Sequence, residues 1–516
     1  MSREKSRQSR ILSGFFKLVS TTMISRVTGL IREMALAFFL GSGAVMDAYV
    51  VAYTLPNLFR RIFGEKLLES AMLPTYKLLD KAGDKEAAGN LAKTVMFLLV
   101  SIGSFVTALG MVAAPWLVHV FAPGFDPETH VLAVTMTRIM FPFLVIISVA
   151  SMFGVILQTR EKFGLYGIAP AMFNVGTVVI MWIGMTRYGP LTAAVGVLIG
   201  GALEALVMLP AVRQTFQFNR HKIVFSDPAV KKVNSLAGPI MIETIMDKTI
   251  VLVDRRLASI VSTGSIAALG YSFRLLQLPY GILVLGIART FFQHMVDAVE
   301  DFHEFVRMIS GAMRFTLAIM TPATLALFVF AELIIRIVYQ RGAFDETAVS
   351  LSTSAFAYYS LGMVGMTALA ILSRAFNAMK DTKTPVIVSV AMMIINVVLN
   401  YILVKTPLQH AGLALATSIA YSFAGVMLLI LIKKKIQTQV DDVAINFDLL
   451  EPFAKILLSS LAASLASYYV IGFAGDSPGF FLSLLYLCLG CTVFLIVYAG
   501  FLYMLGQPIT KLLKID

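Results

Sequence analysis

Charge is scarce in this chain. Of its 516 residues only 14% are charged, against 58% hydrophobic, where a soluble domain carries about 25% charged and about 45–50% apolar residues. That balance excludes an ordinary soluble protein and points to an all-α polytopic membrane protein. Cysteine is scarcer still. Cys488 and Cys491 are the only two, which excludes a disulfide framework. They form a C-x-x-C inside an apolar run without basic or βαβ context, and so read as small membrane-helix residues rather than a redox or metal pair. The six histidines, His119, His130, His221, His294, His303 and His410, are scattered and mostly in loops. No P-loop or metal-spacing motif accompanies them, which argues against a membrane-embedded transferase with a base or metal site.

What the chain has instead is greasy segments. About fourteen are long enough to cross a bilayer at about 20 residues each, from 12–40 and 45–63 through to 451–473 and 479–505. The basic start MSREKSRQSR resembles the head of a signal peptide, but no small-residue cleavage site follows and the apolar run is too long. An uncleaved first helix is expected. The net charge of +12 belongs to connecting loops rather than to nucleic-acid binding. One set of loops holds Arg60, Arg61, Lys66, Lys77, Lys81 and Lys85, then 213–232, then Lys433, Lys434 and Lys435, while 41–44, 118–130 and 261–265 hold no Lys or Arg. The basic set faces the cytoplasm, so both termini are expected there. No sizeable soluble domain lies on either side.

The exception to the greasiness is the stretch SRVTGLIREMALAFFLG, Ser25 to Gly41, which carries Arg26, Arg32 and Glu33. At about 100° per residue, Ser25, Arg26, Gly29, Arg32 and Glu33 fall within an arc of about 120°, opposite Met23, Ile24, Val27, Ile31 and Phe38. Gly29 leaves room between the guanidiniums. Such a stripe suits a helix with lipid on one side and a wet, cationic space on the other, because an intramembrane charge is costly and usually marks function. Asp47 opens the next segment, and Pro56-Asn57 interrupts it before Arg60 and Arg61. A mid-helix proline frees a carbonyl and kinks the helix. For Arg60 and Arg61, snorkelling at the membrane edge competes with a cavity role.

A second cluster, Asp247, Asp254, Arg255, Arg256, Arg274 and Arg289, lies in the seventh and eighth segments. Shifted by 223, Arg32 meets Arg255, Gly41-Ser42 meets Gly264-Ser265, and Leu55-Pro56 meets Leu278-Pro279. Either compositionally similar helices match by chance, or two six-helix lobes repeat in parallel, one of the designs of secondary transporters. The repeat reading gives an N-lobe at 1–222, a C-lobe at 223–440, and two further helices at 441–516.

SRVTGLIRE, GSGAVMDAYVVAYTLPNLFRRIFGE, DRRLASIVSTGSIAALGYSFRLLQLPYGI, NAMKDTKTP and HAGLALATSIA resemble the MurJ (MviN) lipid II flippase family of the multidrug/oligosaccharidyl-lipid/polysaccharide exporter superfamily. The resemblance runs from about residue 12 to 435; the last two helices match in hydropathy only. It implies two pseudo-symmetric lobes, a cationic central cavity and alternating access driven by membrane potential or an ion gradient. Arg26, Arg32, Glu33, Asp47, Asn57, Arg60 and Arg274 fall on the family's substrate-site positions, with Gly29, Pro56, Glu65 and Pro279 as gating or structural positions. Thr54 stands where the family often has a basic residue, Lys66 where it has a small one, and Arg289, Gln293 and His294 depart from its usual threonine and proline.

The chemistry agrees with the resemblance. Guanidinium binds adjacent phosphates in a planar, bidentate fashion, and a lipid pyrophosphate needs a polar cavity beside a path for its tail. The partners implied are lipid II, membrane lipids and cell-wall synthesis machinery. A multidrug exporter of the same superfamily would instead offer carboxylates to cationic drugs. The charge-poor last two helices suit a tail groove or a structural buttress equally. No cofactor is expected beyond a coupling ion. Asn396 and Asn400, one turn apart, together with Asp254 and Thr417, make a candidate Na⁺ site, unless the asparagines are interhelical glue.

Overall fold

The structure is a computed structural model; it describes residues 21, 23–216, 220–297, 301–438, 449–475 and 478–507. The basic residues 3–10 and Asp516 therefore lie outside the described residues, as do the side chains of Asp247, Arg289, Gln293 and His294. Among the described residues the regular structure is helical. Nine helices among the described residues are long and apolar enough to cross a membrane, and a pair bent by 41° at Leu361-Gly362 makes ten. The remaining expected crossings are helices at 23–40, Ala44–Arg60, Pro228–Val261 and Ser265–Asp297. These four carry Arg26, Arg32, Glu33, Asp47, Asp254, Arg255, Arg256 and Arg274, and the second of them is also short at 17 residues.

The chain divides into two compact units, Met1–Thr263 and Gly264–Asp516. The first holds α1 (23–40), α2 (Ala44–Arg60), α3 (Leu73–Lys81), α4 (Lys85–Phe121), α5 (Pro127–Met140), α6 (Phe143–Thr159), α7 (Phe163–Tyr188), α8 (Leu191–Thr215) and α9 (Pro228–Val261). The second holds α10 (Ser265–Asp297), α11 (Phe302–Val329), α12 (Ala331–Tyr339), α13 (Glu346–Ser360), α14 (Met363–Ala378), α15 (Lys383–Leu403), α16 (His410–Gln437), α17 (Leu450–Gly472) and α18 (Phe480–Met504). Aspartates start many of these helices by accepting from free N–H groups of the first turn. Asp84 caps α4, Asp227 α9, Asp301 α11 and Asp345 α13. Asp126 caps α5 through the N–H groups of Glu128 and Thr129, and the Thr129 hydroxyl bond, 2.6 Å, leads in holding its carboxyl below the usual range.

Two local features position the site. Helices α7 and α8 pack through small residues: a Cβ on Gly200 would lie 2.5 Å from the Phe173 carbonyl oxygen, and one on Gly176 would lie 3.0 Å from the Gly200 Cα. Backbones that approach this closely make a rigid pair. The second feature follows α2, where the chain continues without a break through π-helical turns at Arg61–Glu65 and Leu68–Met72 into α3. The sequence reading ends this segment near residue 63; the helix runs on to Lys81.

Where the sequence repeats, the local conformation repeats too. Gly41 (φ +66°) and Gly264 (φ +87°) occupy the left-handed region between α1 and α2 and between α9 and α10, a conformation that favours glycine. Pro56 and Pro279 lie inside the helices that follow.

Candidate functional site

Helix α1 presents Met23, Ile24, Val27, Ile31 and Phe38 outward, as its apolar face requires. Its polar stripe turns toward α7. The buried Asn174 amide donates to the Ser25 carbonyl and to the Thr28 hydroxyl, each at 3.2 Å. Gly29 faces this amide: a Cβ there would lie 3.6 Å from the Asn174 nitrogen. One turn on, Arg32 pairs with Glu33 at 2.8 Å, and its guanidinium lies over the Phe173 ring, 5.1 Å from the centroid. Glu33 is 5% exposed, so the pair is a buried one whose breakage would strand a charge.

On α2, Pro56 is buried, and two residues earlier the Thr54 hydroxyl bonds back to the Val50 carbonyl at 2.6 Å. Asn57 accepts from Arg60 Nε at 2.8 Å, and Arg60 Nη2 reaches Glu65 at 3.1 Å. Residues five apart lie on different faces of an α-helix but stack in a π-turn, whose hydrogen bonds run i→i+5. The π-helical Arg61–Glu65 segment therefore brings Arg60 and Glu65 together. Asp47, 2% exposed, is held in the first turn of α2 with interaction partners of its own.

Arg32, Arg60 and Glu65 line one cavity of about 310 Å³ within the first unit. Its walls come from α1, α2, the π-helical segment, α6, α7 and α8. Sequence reasoning missed part of its lining: Glu69, Glu204, Gln158, Tyr53 and Tyr166. Glu204 is a lone carboxylate in the apolar α8, the same signal that singles out Arg32, and it interacts electrostatically with Arg60 and Glu65. Two arginines and three glutamates thus share this lining. The cavity is charged and mixed in sign, so an anion placed beside Arg32 or Arg60 competes with the carboxylates already there.

The other expected site residues fall elsewhere. Arg26 is half-buried on α1, outside the cavity lining. Arg274 and Pro279 lie on α10 in the second unit, Arg274 with partners of its own. Asp254 lies on α9 in the first unit, also partnered. The three neutral members of the candidate ion site do meet within the second unit: Asn400 donates to Asn396 Oδ1 at 3.1 Å, Asn396 to Thr417 at 3.2 Å, and Thr417 to the Leu413 carbonyl at 3.0 Å. In this arrangement the Asn396 oxygen accepts one hydrogen bond and keeps a second lone pair. Among the described residues no group of three His, Cys, Asp or Glu side chains is placed to hold a metal ion.

The second unit has a cavity of its own, about 590 Å³ between α11 and α18, lined by Ala318, Pro322, Phe330, Phe494, Leu495 and Tyr498 among others. It contains no charged residue.

Comparison with known proteins gives a consistent result. A family model described as "Lipid II flippase MurJ" matches residues 36–489. The lipid II flippase MurJ of Burkholderia cenocepacia is 29% identical over 80% of this chain and 82% of its own length. The probable lipid II flippase MurJ of Thermotoga maritima is 30% identical over 96% and 95%. A solved structure of a lipid II flippase MurJ in an inward closed conformation superposes with a TM-score of 0.77 at 25% identity, covering 95% of this chain and 99% of that one. An inward-facing multidrug MATE transporter of the MOP superfamily superposes with a TM-score of 0.71 at 16% identity over 83% and 99%, a likeness of fold alone.

Proposed function

The chain belongs to the lipid II flippase MurJ family, whose members are transporters and not enzymes, and on that premise we propose that it flips lipid II, the lipid-linked peptidoglycan precursor, from the cytoplasmic to the outer leaflet of the bacterial cytoplasmic membrane. The observation that carries this reading furthest is Arg32: a guanidinium on an otherwise lipid-facing helix, turned into a polar cavity and seated over an aromatic ring. A pyrophosphate offers adjacent anionic oxygens to such a fork. In this reading Arg32 and Arg60 contact the anion from the mixed-charge cavity of the first unit, and Arg26 and Arg274 are further cationic contacts along its path. Glu33, Asp47, Asn57 and Glu65 set the geometry of the arginines. The two compact units exchange access between the membrane faces, and the apolar cavity of the second unit accommodates prenyl tail. Both termini are cytoplasmic, and an engineered Phe225→Cys, on the 213–232 loop, escapes labelling from outside intact cells. Membrane lipids and cell-wall synthesis machinery are the partners that fit.

Depletion of the protein tests this directly. Precursor lipid should accumulate on the cytoplasmic leaflet, and re-expression should release it; an unchanged leaflet distribution would refute the proposal. One observation favours a second reading. The glutamates in the first unit's cavity suit cationic cargo, as in a drug exporter of the same superfamily. Efflux of a lipophilic cation that depends on Glu204 and Glu65, with lipid II distribution unaffected, would select it.

A further inference from the structure

We propose that Phe173 and Asn174 of α7 are positioning residues for anion recognition by Arg32, an inference that rests on the reading of Arg32 as a pyrophosphate contact. The two act at successive levels. Asn174, 6% exposed, holds the turn of α1 that precedes Arg32, through the Ser25 carbonyl and the Thr28 hydroxyl. Thr28 also donates to Ile24 and Ser25 carbonyls at 3.0 Å, so the Asn174 amide completes a local set of bonds rather than making an isolated one. Gly29 faces the same amide, and a Cβ there would make ordinary contact with its nitrogen at 3.6 Å. The adjacent Phe173 then supplies the face on which the Arg32 guanidinium rests.

Consecutive residues serve both levels because α7 is itself fixed. The Phe173 carbonyl lies against Gly200 of α8 closely enough to exclude any Cβ there, and Phe173 packs on Phe143 with ring centroids 5.6 Å apart. Helix α1, by contrast, exposes one whole face. A long arginine on such a helix loses orientation unless something rigid holds it. The ring satisfies one face of the guanidinium and leaves its edge, where the N–H donors lie, for Glu33 and for an anion. A bare cationic stripe is therefore an incomplete site; the α7 dipeptide makes it directional.

The test measures binding of farnesyl pyrophosphate to the purified full-length protein in detergent. Arg32→Ala should lose most of the affinity. Phe173→Leu should weaken binding about fivefold, the scale of a cation–π contact, whereas Phe173→Tyr, which keeps the ring, should stay within about twofold of the parent. Asn174→Leu should weaken binding by a similar factor at unchanged melting temperature. None of these α7 changes should have a further effect in the Arg32→Ala background, a non-additivity that a merely structural role does not produce. Loss of affinity in Phe173→Leu that persists undiminished on top of Arg32→Ala would overturn the positioning role. So would normal binding by both α7 variants while Arg32→Ala fails. Normal binding by Arg32→Ala would overturn the reading of Arg32 itself, and the positioning role with it.

Discussion

The cavity within the first unit encloses about 310 Å³ and is lined by two arginines and three glutamates, whereas the cavity within the second encloses about 590 Å³ and carries no charge. Each is built from helices that otherwise obey the same rules. The difference lies in what each helix is asked to hide. In the first unit, α1 and α2 carry charged side chains that lipid will not accept, and the fold answers with pairing: Arg32 with Glu33, Arg60 with Glu65. Around the second unit's cavity, α11 and α18 present alanine, proline and aromatic rings, and no charged side chain lines it. A charged cavity forms where solvation must be replaced group by group; an apolar one needs only a packing gap.

The contrast can be broken hardest at the arginines. Arg32→Ala is expected to abolish complementation of a depleted strain while folded protein persists in the membrane, and Arg274→Ala to do the same. Lysine at either position should rescue poorly, because it keeps charge and loses the planar fork. Wild-type growth of both alanine variants at normal expression would remove these residues from the mechanism. Charge can also be put where it is absent. Ala323→Asp, in the apolar cavity, should cost about 3 kcal/mol, seen as a drop in melting temperature and in the yield of monodisperse protein. An unchanged melting curve would mean that this cavity is wet.

Smaller effects sharpen the contrast between charge that works and polar groups that only hold. If the Asn396–Asn400–Thr417 set of the second unit binds sodium, Na⁺ should raise the melting temperature by a few degrees more than K⁺ at equal ionic strength, and Asn396→Ala should erase the difference. Identical melting in both salts assigns the asparagines to interhelical hydrogen bonding, at about 1 kcal/mol each. The smallest effect belongs to the loop before α15. There Asp381 accepts from Lys435 and from Thr384. The Lys435 bond leads in holding its carboxyl at about 2, against the opposing effect of partial burial. A depressed folded-state value means that this clamp stabilises the protein above about pH 4, the unfolded value, and is lost as the pH falls toward 2. Asp381→Asn should therefore flatten stability between pH 4 and pH 2 while costing under about 1 kcal/mol at neutrality.

How far the sequence reveals this molecule depends on the kind of residue. Charges in greasy segments are legible, because lipid makes them expensive wherever they fall; Arg32, Glu33 and Arg60 stand out on that ground and Glu65 through the family resemblance, and the fold brings Arg32, Arg60 and Glu65 to one cavity. Glu204 obeys the same rule and was open to the same reading. Phe173 and Asn174 were not. An aromatic ring and an amide are ordinary in a membrane helix, and only the tertiary approach of α1 to α7 gives them meaning. The π-helical segments were illegible for another reason: one extra residue per turn leaves no mark on composition, yet it decides that Glu65 meets Arg60. The neighbourhood Asn396–Asn400 follows from helical spacing, but its bonding does not. Spacing sets which side chains are adjacent and leaves open which atom donates.

The connection leading into α9 has a consequence for how the chain is made. Residues 221–224 are tied to the start of α4, with Lys222 N–H donating to Asn90 at 2.7 Å, Val224 N–H to Thr94 at 2.9 Å, and Lys93 to the His221 carbonyl at 2.6 Å. The far end of α9 is tied to the other end of the same helix, where Arg256 donates to the Val120 carbonyl at 2.8 Å and Gly124 N–H to Ser259 at 3.3 Å. Chains fold unit by unit as they leave the ribosome, and α4 is finished long before these partners exist. The start of α4 is thus fastened once residue 224 has emerged, and its far end stays unfastened until α9 is complete. A nascent fragment that stops at residue 222 already holds the partners of Asn90 and Lys93 but lacks those of Thr94, Val120 and Gly124, and one that stops at 263 carries them all.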